Sequence, residues 1–102
     1  MEYEVIFTPE ANRHLAKLYE FIEGELSPET AQRFTNSIVD YCNGFSTFPH
    51  RGTQRDDLRH GLRIVGFRRR GVIAIVVRTN QVFIIGVFYG GQDYETALRP
   101  DE

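Results

Sequence analysis

Three consecutive apolar runs between Leu62 and Tyr89 constrain this chain most. They are LRIVGF, VIAIVVR and QVFIIGVFY, separated by RRRG and by Thr79-Asn80. Their β-branched and aromatic residues suit a pleated, half-buried surface. The breaks carry Gly or Asn, residues that accept the positive φ of tight hairpins. The pattern predicts three successive antiparallel strands. Strict alternation in the last run puts Val82, Ile84, Gly86 and Phe88 on one face and Phe83, Ile85, Val87 and Tyr89 on the other. Both sets are apolar, so this strand is expected to be central and covered on both sides.

The N-terminal half must supply that cover. Tyr3 to Phe7 is a short strand. Thr8-Pro9-Glu10 is a helix start, with Thr8 as N-cap and Pro9 at the first helical position. Ala11, Leu15, Leu18, Ile22 and Leu26 then form one apolar stripe on a helix from about Pro9 to Leu26. Tyr19 and Phe21 fall to its sides. Ser27-Pro28-Glu29 repeats the start signal, and Ala31, Phe34, Ile38, Tyr41 or Cys42, and Phe45 mark a second helix to about Thr47. So short a link makes an antiparallel helical hairpin. His50 to Gly61 is polar and predicted to be a loop, and Gln92 to Leu98 a single helical turn. The order is β-α-α-β-β-β, a single two-layer α+β domain over residues 1–102 with the helical hairpin packed on an antiparallel sheet. The first strand is expected beside the last one.

Charge narrows the partners. The net charge of −2 disfavours broad nucleic-acid binding. Residues 1–50 hold three basic and eight acidic side chains, whereas Arg51 to Arg78 holds eight arginines against Asp56 and Asp57. Arg favours planar, bidentate contact with carboxylates and phosphates. A basic region on an acidic protein fits one defined partner, with no direct sequence-specific nucleic-acid binding. The longest apolar run, Gly71 to Val77, falls well short of the roughly 20 residues of a transmembrane helix. The acidic N-terminus does not resemble an export signal, and the single Cys42 cannot form an internal disulfide. A cytoplasmic protein is expected.

No catalytic constellation stands out. The three histidines, 14, 50 and 60, have no paired ligand spacing, so no metal is expected. Gly90-Gly91 lacks the context of a phosphate loop, and no cofactor is expected. No Ser sits in a nucleophile elbow. Arg68-Arg69-Arg70 is either solvated hairpin charge or a partner contact. Tyr89 is either a core aromatic or a site residue. Asp93-Tyr94 is either a helix cap with a packing aromatic or part of a surface patch. His50 and His60 flank the Arg-rich loop, where acid-base work is the less common role.

Four segments together resemble the ParE branch of the RelE/ParE toxin superfamily, also called plasmid stabilisation proteins. They are TPEA with its following helix, FP-x-x-G-x-x-R-D-D-L-R-x-G-L-R, F-R-R-R, and V-F-Y-G-G-Q-D-Y-E. The resemblance spans Tyr3 to about Leu98, and Arg55-Asp56-Asp57-Leu58-Arg59 with Phe88 to Glu95 is its most specific part. It implies a cytoplasmic toxin of a type II toxin–antitoxin pair, wrapped by the C-terminal segment of a ParD-like antitoxin in a hetero-oligomer. An adjacent reading frame encoding a short ribbon-helix-helix protein is then expected.

ParE-like members act on DNA gyrase, whereas RelE-like members cut mRNA on the ribosome. In an RNase, Arg63, Arg78 and Tyr89 are the candidates for the charge-stabilising and acid-base positions. The strand region has no Lys, Phe88 precedes Tyr89, and the protein is acidic, whereas ribosome binding needs a strong positive field. The gyrase-directed class is therefore preferred, with no catalytic residue. The partner surface is expected to use Arg55, Arg59, Arg63, Arg68, Arg69, Arg70, Tyr89, Asp93 and Tyr94. An extended or helical partner segment is expected on the sheet's exposed face and edge.

Overall fold

The computed structural model describes residues 2–99. Strand β1 is Glu4–Phe7, helix α1 Pro9–Glu25 and helix α2 Pro28–Asn43. A 3₁₀ turn follows at Gly44–Ser46, then strands β2 (Thr53–Gln54), β3 (Leu62–Phe67), β4 (Gly71–Val77) and β5 (Gln81–Tyr89), and helix α3 (Tyr94–Leu98). The expected hairpin, meander and terminal turn are all present. The tail beyond Arg99 lies outside the described residues.

Local chemistry sets the helix starts. Thr8 Oγ1 accepts from the Ala11 amide at 3.2 Å and Ser27 Oγ from the Thr30 amide at 3.1 Å, each just before a proline in the first turn. Thr8 Oγ1 also donates to the Ile84 carbonyl at 2.8 Å, tying the entry of α1 to β5. Leu26 departs from the expected stripe. It is the C-cap of α1, one residue past the end of the helix at Glu25, and is 71% exposed.

The sheet order is β1-β5-β4-β3-β2. Strand β1 lies beside β5 as expected, but runs parallel to it, so the sheet is mixed. A helical crossover returns the chain in the same direction, whereas the hairpins make β3, β4 and β5 antiparallel. Thr53–Gln54 adds a two-residue edge strand inside the segment expected to be a loop. Both residues are exposed, which is why no apolar alternation announced it.

The alternation in β5 does not persist. Ala74 pairs with Gly86 but Ile75 pairs with Ile84, so Ile85 is an extra residue, a β-bulge. The bulge swaps the faces of everything after it. Val82 and Ile84 share a core with Val87, while Ile85 packs with Phe88 on the opposite side. The expected grouping of Phe88 with Val82 and Ile84 is thus corrected.

Both faces of the sheet are covered. On one, Ala11, Ile38, Cys42 and Phe45 meet Val65, Phe67, Ile73, Ile75, Val82, Ile84 and Val87. Leu15 and Leu18 border this core only partly buried. On the other, Leu58 and Leu98 close over Leu62, Ala74, Val76 and Phe88. The expected exposed face is thus mostly covered among the described residues, although Ile64, Val72, Phe83 and Ile85 stay only partly buried.

Candidate functional site

The RDDLR segment is a clasp. Asp56 Oδ1 accepts from the Gly61 amide at 2.8 Å, and Leu58 is buried at the centre. Arg55 makes a two-pronged contact with Asp57, at 2.9 and 2.8 Å, and reaches Glu95 of α3 at 2.8 Å. These contacts hold the Arg55 guanidinium more firmly protonated than usual and draw the Asp57 carboxyl below its ordinary range. Arg59 Nε donates to the Leu98 carbonyl at 3.2 Å. Asp93 caps α3, accepting from the amide and hydroxyl of Thr96, which lowers its own carboxyl pKa. The Tyr94 ring packs 6.2 Å from Phe88. Arg55, Arg59, Asp93 and Tyr94 thus lock α3 over the second core.

The Arg68-Arg69-Arg70 turn is built differently. Arg68 has φ +56, the left-handed region that a non-glycine residue seldom occupies. Its guanidinium lies 5.2 Å from the Phe34 ring centroid and 5.1 Å from that of Phe67. Cation–π contact at an exposed site contributes about 0.5–1 kcal/mol, which offsets part of the backbone cost. Arg69 and Arg70 are exposed, and Arg70 has only a long contact, 3.5 Å, to the Gly90 carbonyl. Tyr89 ends β5 against Phe34, with ring centroids 5.1 Å apart and nearly perpendicular.

Between α1 and the end of β5 lies a groove of about 470 Å³. Leu18, Phe21, Val87 and Tyr89 give it an apolar lining, and Lys17 and Arg70 are its charged residues. His14 stands at its inner wall. Its Nδ1 accepts from the Val87 amide at 3.0 Å, which places the neutral ring's proton on Nε2. Burial lowers the His14 pKa, Glu10 opposes this, and Lys17 and Arg13 reinforce it. His14, Lys17, Phe21 and Gln92 were not expected at a site. His14, Lys17 and Phe21 meet β5 across as many as 73 residues of sequence, with no local pattern to join them, whereas Gln92 lies only three residues past Tyr89.

Comparison with known proteins decides the family. The sequence matches the model described as ParE toxin of type II toxin-antitoxin system, parDE, over residues 5–94. The chain belongs to the ParE toxin family. Among solved structures, this ParE-family chain resembles the chromosomal ParDE toxin–antitoxin system from P. aeruginosa. The TM-score is 0.75 at 18% identity, over 86% of this chain and 96% of that one. It also resembles the toxin–antitoxin complex RelBE2 from Mycobacterium tuberculosis, with TM-score 0.62 at 21% identity, over 88% of this chain and all of that one. At such identities the likeness establishes the fold. No curated protein matches the chain.

The RNase candidates of this ParE-family chain do not converge. Arg63 lies within β3 opposite Ile75, its Nε donating to the Arg51 carbonyl at 2.9 Å. Tyr89 pairs with Gly71 at one end of β4, whereas Arg78 follows Val77 at the other. The seven residues of β4 separate these ends by roughly 20 Å at about 3.3 Å per residue. Among the described residues no group of His, Cys, Asp or Glu is arranged to hold a metal, and no helix is long and apolar enough to cross a membrane.

Proposed function

We propose that this ParE-type toxin acts in the cytoplasm by binding and inhibiting DNA gyrase, and that a ParD-like antitoxin encoded beside it neutralises it. The observation that carries the gyrase reading is the separation of Tyr89 from Arg63 and Arg78. A phosphodiester-cleaving site needs its charge stabilisers and its acid or base within a few ångströms of one phosphate. An inhibitor by contact needs several anchors on one surface instead. Here Arg69 and Arg70 stand exposed beside Tyr89 and an apolar groove, which supports contact with an acidic partner surface. The internal engagement of Arg55, Arg59, Asp93 and Tyr94 shifts the proposed contact from the clasp to the Arg68–Arg70 turn and Tyr89.

The test has two arms. Purified toxin is added to a gyrase supercoiling reaction and, separately, to translating ribosomes with mRNA ends mapped. Inhibition of supercoiling, with at most a few-fold loss in Tyr89→Phe, is expected. A hydroxyl acting as acid or base would cost roughly 10²–10⁴-fold instead. Unimpaired supercoiling together with codon-placed cuts that vanish in Tyr89→Phe overturns the proposal in favour of an RNase. For the pairing, co-expression with the adjacent reading frame should yield a stable complex and relieve growth arrest.

A further inference from the structure

Strand β5 is nine residues long, but β1 pairs only with its first four, Gln81–Ile84. The pairing ends where Thr8 donates through its amide and hydroxyl to the Ile84 carbonyl. Past that point no strand covers the outer edge of β5 among the described residues. The Gly90 amide faces β4, donating to the Arg70 carbonyl at 3.1 Å. The Val87 and Tyr89 amides face outward, two residues apart, the spacing at which a strand presents donors along one edge.

Both outward amides are stoppered by side chains. Val87 donates to His14 Nδ1 at 3.0 Å and Tyr89 to Gln92 Oε1 at 2.8 Å. An edge whose donors are capped this way is protected from indiscriminate pairing, yet remains a template once the caps swing aside. Gln92 is exposed and His14 half-buried beside the groove, so neither cap is locked into the core. The groove runs along the same edge. Phe21, 65% exposed, and partly buried Leu18 and Tyr89 give it apolar contact area unusual at a surface. Its charged lining is entirely basic, Lys17 and Arg70, with His14 beside them and no carboxylate. On a chain of net charge −2, this is a local reversal of sign.

We infer that the outer edge of β5, from Ile85 to Tyr89, receives an extended acidic segment of the antitoxin as an added strand. Backbone carbonyls of the segment replace His14 Nδ1 and Gln92 Oε1 on the Val87 and Tyr89 amides. Side chains on one face of the segment enter the groove against Leu18, Phe21 and Tyr89, and its carboxylates meet Lys17 and Arg70. Main-chain pairing supplies affinity, and the groove and its charges supply selectivity. The inference rests on the antitoxin reading above for the source of the segment, and adds the edge, the two displaced caps and the sign of the charge.

Amide hydrogen exchange of ¹⁵N-labelled toxin tests it with two ligands. One is the polypeptide of the adjacent reading frame. The other is a synthetic peptide alternating valine and glutamate, with its valine–lysine counterpart as control. At least tenfold slower exchange at Val87 and Tyr89 is expected with the first two and not with the lysine peptide. The double substitution Lys17→Glu with Arg70→Glu, both at exposed positions, should weaken both acidic ligands at least tenfold at low salt. If the adjacent polypeptide binds while Val87 and Tyr89 exchange at the free rate, the edge is not the docking site, and the antitoxin reading survives without it. Should that polypeptide fail to bind while the glutamate peptide still protects both amides, the edge stands and the antitoxin reading falls. Protection by neither ligand overturns the inference, whatever the charge variant does.

Discussion

Replacing Gly86 with alanine should destabilise the fold through one identifiable clash. A methyl group there would sit 2.7 Å from Phe88 Cε2 and 2.9 Å from Cζ, with His14 Cε1 at 3.4 Å. The Phe88 ring cannot swing away freely. It is 5% exposed, flanked by His14 at 5.0 Å and Tyr94 at 6.2 Å. Gly86 is not among the positive-φ residues, so alanine suits its backbone. By restricting the unfolded chain, alanine there contributes about 0.4–1 kcal/mol of stability. Overpacking beside a fixed ring costs about 1–3 kcal/mol. The expected net loss is therefore about 1 kcal/mol, or roughly 4–8 °C in Tm for a domain near this size. The chain has no Trp, so far-UV circular dichroism in urea is the suitable probe. The partner substitution is Phe88→Leu, which removes both clashing atoms. In that background Gly86→Ala should be neutral or stabilising by about 0.4–1 kcal/mol. Additive effects in the double mutant, or outright stabilisation by Gly86→Ala alone, would refute the reasoning.

Other perturbations probe the remaining elements. Ile84→Ala, at a fully buried position, should cost about 2–5 kcal/mol, and Leu18→Ala, at the half-buried groove wall, clearly less; equal losses in urea titrations would contradict the burial order. His14 resists protonation in the folded state, whereas the unfolded chain takes up the proton near the ordinary value of about 6.5. Stability should therefore fall as pH drops through about 6.5 and level off beneath the folded value, and His14→Leu should remove this part of the slope. At pH 8 the same variant should cost about 1 kcal/mol for the Val87 amide left without its acceptor, read by chemical denaturation. Glu95→Ala removes the link from Arg55 to α3, so amides of residues 94–98 should exchange faster while those of β4 stay protected; an unchanged α3 would show that Leu98 and Tyr94 alone hold it.

What was legible in the sequence was periodic or locally capped. Thr8-Pro9 and Ser27-Pro28 announce both helices because the cap and its amide lie three residues apart. The strand meander is announced by apolar runs that need no partner to be recognised. The bulge at Ile85 left no such trace: β5 is apolar at nearly every position, so a change of face leaves the pattern unaltered. Leu26 continued the stripe of α1 by spacing alone, yet the helix ends before it can be buried. The groove was invisible for a different reason. Its wall comes from α1 and its edge from β5, joined by the docking of β1 and by the Thr8 and His14 contacts across more than 70 residues of sequence.

The motif that carries the family resemblance has a consequence for how far resemblance reaches. Arg55, Asp56, Asp57, Leu58 and Arg59 are satisfied within the chain: by Asp57 and Glu95, by the Gly61 amide, by the second core and by the Leu98 carbonyl. Those contacts clamp α3 over the sheet and need no partner chain. The match of this segment therefore speaks for the fold. On the reading proposed above, the contact with a target lies elsewhere, at the exposed Arg69 and Arg70 of the β3–β4 turn, Tyr89 and Gly90-Gly91 at the end of β5, and Lys17 across the groove. These residues share one end of the sheet without being consecutive in sequence. Substitution at that end leaves the Arg55–Arg59 clasp and both cores intact, although it touches the F-R-R-R and V-F-Y-G-G-Q-D-Y-E segments.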